Sequence, residues 1–149
     1  MRALFPLVFC LFALAAPLPA QGSTHTPPAG RAERRAILES ARRAVQARVG
    51  RQPVRFRVDH LRVRSGWAFL LARPQRPDGR ALDYRGTPYR EALEAGAFDD
   101  EATVLLRRER GAWRVADFDL GATDVVWEDW PERHGAPREI FPGWGAEPP

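Results

Sequence analysis

The chain has 149 residues, 23 basic and 19 acidic, for a formal net charge of +4, and a single cysteine. That length suits one domain able to bury a real core. So mild a charge does not argue for a nucleic-acid partner, and one cysteine excludes a disulfide scaffold. Every basic residue is Arg, and both Lys and Asn are absent. GC-rich codon usage accounts for that bias; an arginine-based anion site is the sharper alternative.

The first twenty residues, "MRALFPLVFCLFALAAPLPA", have the three-part layout of a secretory signal peptide: Arg2, an apolar run from Leu4 to Ala16, then small residues and prolines. The run is shorter than the roughly 20 residues that span a bilayer, and Ala20 supplies the small residue at the cleavage point. Phe9 before Cys10 does not suit lipoprotein processing, so Cys10 is expected to leave with the signal. The expected organisation is a signal peptide at 1–20, a flexible linker at 21–30, one α+β domain at 31–142 and a flexible tail at 143–149. The linker "QGSTHTPPAG" offers nothing to bury, and His25 within it is given no role.

Residues 31–49 predict an amphipathic helix. Ile37, Leu38, Ala41, Val45 and Val49 share one face, and Gly50 supplies the stop. Arg48 falls inside the apolar arc, either snorkelling past the core edge or aimed into a pocket. Residues 53–64 predict a strand whose phase slips. Val54, Phe56 and Val58 alternate first, then Leu61 and Val63, so a bulge is expected at Asp59-His60. "SG" at 65–66 is a hairpin turn, and "WAFLLA" at 67–72 reads as a central strand. "RPDG" at 76–79 is a type I turn. A long excursion to about residue 101 follows, with Tyr84 and a short helix over 88–95 that Thr87 could cap and Gly96 stop. Residues 102–121 predict a second hairpin around "ERGA". In its second strand Trp113 and Val115 keep one phase, Phe118 and Leu120 the other, so another bulge is expected near Ala116-Asp117. Residues 122–138 read as a loop with a little helix, closing over the sheet.

The order helix, hairpin, excursion, hairpin, cover predicts an N-terminal amphipathic helix packed on a curved, four-stranded antiparallel sheet. That outline is similar to the cystatin-like and nuclear-transport-factor-like rolls. The stretch "FDDEATVLLRRERGAWRVADFDLGATDVVWEDWPERHGAP", in which a W-R-V strand runs into G-x-T-D-V…W and a closing G-x-P, resembles a family of small secreted proteobacterial proteins. The resemblance covers residues 31–142. It implies export and a single domain, and it implies no activity.

Charge is unevenly spread. Residues 31–64 carry eleven Arg and three acids, while 115–132 carry six acids and no Arg. The simplest use is internal, with the basic half facing the acidic end; a basic surface for envelope polyanions competes with it. The acidic end, "GATDVVWEDWPERHGAP", concentrates the candidate chemistry. Asp124, Glu128 and His134 could ligate a metal if His60 joined them, yet that spacing fits a solvated face as well, so no metal and no cofactor is expected. Asp59, His60, Asp117, Asp124 and His134, with Tyr84 or Tyr89, are the acid–base candidates of an enzyme reading, and no pair is singled out. No nucleophile motif and no phosphate-binding loop occurs. Trp67 and Trp113 read as core. Trp127 and Trp130 either seal the open side of the sheet or form an aromatic patch.

The expectation is therefore an exported binding module, periplasmic or extracellular, for an envelope protein or a small ligand. Its tentative contact residues are Asp124, Trp127, Trp130, His134 and Arg48. A small-molecule enzyme with a pocket between helix and sheet, and an arginine-mediated binder of anionic polymers, are the rivals. Expressed in a cell with an intact secretion route, the protein is expected to lose residues 1–20. The intact mass of the purified chain checks this: a mature form beginning at Gln21 is the expected result.

Overall fold

The computed structural model describes residues 22–144. Its elements are α1 (Ala32–Val49), β1 (Arg55–Arg64), β2 (Trp67–Gln75), α2 (Arg90–Glu94), β3 (Ala102–Glu109), β4 (Ala112–Leu120), α3 (Trp130–His134) and a final 3-10 turn, Arg138–Ile140. The four strands form one antiparallel sheet in the order β1-β2-β3-β4. The architecture is α+β, with two hairpins and α1 packed against β4 and β3. The expected signal peptide and the end of the expected tail lie outside the described residues. Among those described, no helix is long and apolar enough to cross a membrane.

The helix follows its sequence pattern. Ile37, Ala41, Val45 and Val49 are buried along one face. Gly50 ends the helix at φ 80°, a backbone that residues with a side chain rarely adopt. Both hairpins turn through two residues of positive φ, Ser65-Gly66 and Arg110-Gly111, the backbone that matches strand twist. Both phase slips are bulges. The β1–β2 register jumps between Val58 and His60, leaving Asp59 as the extra residue. The β3–β4 register passes from Leu105↔Asp117 to Leu106↔Val115, leaving Ala116 as the extra residue. Both lie on edge strands, where a bulge also blunts the unpaired edge against pairing with another chain.

The sheet buries both faces. On the helix side lie Leu61, Val63, Ala68, Leu70, Ala72, Val104, Leu106, Trp113 and Leu120. On the other side Trp67, Phe69 and Leu105 meet Trp130, Ala136, Ile140 and Phe141 from the C-terminal segment, which forms a third layer. Trp67 and Trp113 are both buried, on opposite faces. The expected linker is partly tied to the fold. His25 exchanges two backbone hydrogen bonds with Val63, at 2.9 and 2.8 Å, its Nε2 lies 2.9 Å from Glu33, and Pro27 is fully buried.

The excursion is held at three points. Gln52 donates to the carbonyls of Val49 and Asp83 and accepts from the Asp83 amide, at 3.0, 2.7 and 2.8 Å. Tyr84, Tyr89 and Phe98 stack on one another with centroids 4.7 to 6.2 Å apart. Thr87 accepts from the Tyr89 amide, but α2 is shorter than expected, begins at Arg90 with Tyr89 at its N-cap and has no side-chain cap, so Thr87 orders the turn before the helix rather than capping it. Finally, Phe98 lies flat on Gly121. A Cβ at that glycine would stand 2.1 Å from the ring, and its φ is 95°. Gly121→Ala should therefore cost about 3 kcal/mol through backbone strain and overpacking together. Urea unfolding checks this, and Gly121→Ala should cost less in a Phe98→Ala background than in wild type because the steric share is absent there.

Candidate functional site

The C-terminal layer begins where β4 ends and Gly121 turns the chain. It crosses the sheet through 122–129, folds one turn of helix at Trp130–His134, and reverses at Gly135 with φ 67° and ψ 30°, a left-handed helix stop. Pro131 at the start of α3 costs nothing, since its missing N–H would have no helical partner. The ring of Phe69 is the seat of this layer. Phe141, Trp127, His60 and Trp130 surround it with centroids at 4.7, 5.4, 5.8 and 6.3 Å, most of them edge-on or tilted.

Polar groups clamp the same layer from both edges of the sheet. On β4, Asp117 Oδ2 accepts from His134 Nε2 at 2.7 Å and from the Arg133 guanidinium. On β1, His60 Nε2–H donates to the Ile140 carbonyl at 2.7 Å, and Arg64 lies 3.6 Å from Glu139. Burial raises the Asp117 carboxyl, but the hydrogen bonds from His134, the Phe118 amide and Arg133 outweigh it and hold the group below its ordinary range. Burial lowers His60; the bond to Ile140 opposes this and the charge of Arg62 adds to it, for a net depression.

The five expected contact residues do not converge. Trp130 is only 2 % exposed and belongs to the core of this layer. His134 is committed to Asp117. Asp124 is exposed on the crossing loop. Arg48 lies on the helix layer, on the other side of the sheet. It is exposed, with its guanidinium 5.6 Å from the Phe118 ring centroid, so it snorkels rather than entering a pocket. Trp127 alone keeps both a packed and an open side. With Val125, Glu128, Pro142 and Trp144 it lines an open groove of about 280 Å³. Val125 is 58 % exposed. Trp144 is fixed from behind by Arg138, whose guanidinium stacks 4.4 Å from the ring centroid and also pairs with Glu132. Val125, Pro142 and Trp144 are not among the contact residues expected from the sequence. The one signal was "PGW" directly after the buried Phe141, a turn that brings Trp144 back beside the layer.

The internal charge counterweight does not form. Among the described residues no ion pair joins an Arg of 31–64 to an acid of 115–132; Asp117 and Asp129 pair with Arg133, and Glu132 with Arg138. The nearest approach to the expected pattern is Arg64 with Glu139. Short local loops bring these partners together at less entropic cost than chain-distant ones.

Of the acid–base candidates, Asp117 and His134 meet in the clamp on β4, and the others lie apart from them. Tyr84 donates to Asp100 at 2.5 Å on the helix side; burial raises the Tyr84 hydroxyl and the Asp100 carboxyl. Asp59 and His60 line a shallow edge cleft with Thr26, Arg34 and Arg62, while Asp59 also approaches Arg57 and Arg73 at 3.5 and 3.7 Å. Among the described residues no three His, Asp or Glu are grouped to hold a metal ion. No family model, curated protein or solved structure matches this chain.

His60 gives a pH signature. Its folded pKa lies below the unfolded value near 6.5, so its contribution is complete above that value and is lost as pH falls towards the folded pKa. Asp100 and Glu101, raised by burial, act oppositely at lower pH. Wild type should therefore lose more thermal stability between neutral and mildly acidic pH than His60→Gln, which keeps a donor for the Ile140 carbonyl. Parallel melting curves against pH check this.

Proposed function

We propose that the protein is an exported binding module, and that its contact surface is the groove formed by Val125, Trp127, Glu128, Pro142 and Trp144. The observation that carries the reading is the pairing of two part-exposed indoles with an exposed valine on a rigid, doubly clamped layer. Aromatic side chains with little conformational freedom contribute most of the energy at interfaces. A groove of this size takes a few side chains rather than a large ligand. Glu128 lies in it, and Asp124 and Asp129 flank it on the same loop, so its rim favours a basic occupant. An extended segment of an envelope protein that carries proline and arginine meets both conditions, since prolines pack flat against indoles with little entropy left to lose. The reading also rests on the signal-peptide layout of residues 1–20, which supports export of the mature chain to the periplasm or beyond.

The layout of one helix over a bulged antiparallel sheet supports the similarity to cystatin-like rolls, with the C-terminal layer as an addition to that outline. The enzyme reading has less support. His60, Asp117 and His134 spend their hydrogen bonds on holding the C-terminal layer.

The test is fluorescence anisotropy with a labelled decapeptide alternating proline and arginine, against a control with alanine for proline. The mature protein should bind the first and not the second. Val125→Asn and Trp127→Ala should each weaken binding about tenfold or more, with Val125→Asn leaving the melting temperature unchanged because the side chain is exposed. Equal affinity of wild type and Val125→Asn for the peptide would remove the groove from the function.

A further inference from the structure

The sheet is a meander, so both hairpin turns lie at the same end of it. Residues 62–67 and 107–114 form that end and carry Arg62, Arg64, Arg107, Arg108, Arg110 and Arg114 against Glu109, with Glu33 and Glu139 beside them. Strand pairing sets four of these residues in one cross-strand row: Arg64↔Trp67, Trp67↔Arg107 and Arg107↔Arg114. Directly paired residues of neighbouring strands project from the same face. Two arginines therefore stand side by side at Arg107–Arg114, an arrangement that is unfavourable without a counter-charge. The Arg107 guanidinium is held 5.2 Å from the Trp67 ring centroid. On the other face Arg108 is paired with Trp113. Arg64 is engaged by Glu139 and Thr24. Arg62, Arg107, Arg108, Arg110 and Arg114 have no ion-pair partner among the described residues, and all five are exposed. Elsewhere the exposed arginines of the excursion are paired with acids a few residues away, as Arg80 is with Asp78, Arg85 with Asp83 and Arg90 with Glu94.

We infer that this hairpin end is a docking surface for a bilayer rich in anionic phospholipid. The geometry favours a plane over a strand of polymer. The arginines project from both faces of the sheet around one end, so a linear polyanion lying on one face would reach only part of them. A flat phosphate-bearing surface met end-on reaches them together. Guanidinium matches phosphate oxygens by its planar, forked donors and stays charged at any pH of interest. Each basic residue near an anionic surface adds to the attraction. The turns present Ser65-Gly66 and Arg110-Gly111, and Trp67 and Trp113 are buried, so no apolar group inserts. Attachment is electrostatic, peripheral and released by salt. This surface is separate from the Trp127–Trp144 groove and does not depend on it.

The test is co-sedimentation of the mature chain with phosphatidylcholine vesicles, with and without phosphatidylglycerol. Binding is expected only to the phosphatidylglycerol vesicles, and it should be abolished by high salt. Arg107→Gln/Arg114→Gln removes the cross-strand repulsion together with the Arg107–Trp67 contact at two exposed positions, so it should still fold, as its melting curve checks, while weakening vesicle binding about tenfold or more. Arg51→Gln/Arg55→Gln makes the same charge change at the opposite end of the sheet and should bind nearly as wild type. No binding to phosphatidylglycerol vesicles would overturn the inference. So would equal weakening by both double variants, which would reduce the effect to net charge, and so would binding to soluble polyphosphate without binding to vesicles. Val125→Asn, which weakens the groove without changing the net charge, should leave vesicle binding intact, so the two surfaces fail or stand separately.

Discussion

The fold depends on covering a sheet that is apolar on both sides. Strand β2 alternates Trp67, Phe69 and Leu71 on one face with Ala68, Leu70 and Ala72 on the other. Helix α1 can cover only one of these faces. Phe69 in the middle of the uncovered face would cost about 2–3 kcal/mol if left in water. The chain spends its C-terminal segment on that problem, and Phe69 ends with no exposed surface. Trp130, Ile140 and Phe141 are thereby fixed as structure before any function is asked of the segment.

The two bulges belong to the same solution. Without an extra residue at Asp59, the alternation of Phe56 and Val58 would carry His60 and Arg62 onto the helix face and Leu61 and Val63 onto the other. With it, Leu61 and Val63 enter the helix-side core, and His60 is delivered beside Ile140. Ala116 does the same on β4: Phe118 and Leu120 join the core, and Asp117 turns towards His134 and Arg133. Each edge strand thus shifts phase once, and each shift places next to it a polar group that clamps the third layer. An edge protected from strand addition and an anchor for the cover come from one inserted residue apiece.

What was legible in the sequence follows from what has a period. Helix α1, both hairpins, both turns and both bulges are readable because 3.6- and 2-residue alternation, and its interruption, survive in the residue order. The C-terminal layer has no period. "VVWEDW" does not reveal that Trp130 is buried and Trp127 half-open, because the difference arises from one turn of helix after Asp129 and from the position of Phe69, sixty residues away in the chain. The charge asymmetry misleads for a related reason. Counting Arg and acids over windows finds a complementary pair of segments, whereas Asp117, Asp129 and Glu132 are met by Arg133 and Arg138 just beyond the window. Arg48 is a milder case: the helical wheel places it correctly in the apolar arc, but a long side chain leaves that arc at its tip.

Little of the acidic stretch is left free for the proposed contact surface. Asp117 and His134 are occupied in clamping, Asp129 and Glu132 in pairing with their neighbours, and Trp130 in the core. Val125, Trp127 and Glu128 are left on the outer side, joined there by Pro142 and Trp144 because the chain must return past Phe141 after burying it. The groove is therefore a consequence of how the cover is closed: its two indoles stand where the buried run enters and leaves the layer. Its walls inherit the rigidity of the clamps at His60 and Asp117, which is the preorganisation that makes a small aromatic surface effective in binding.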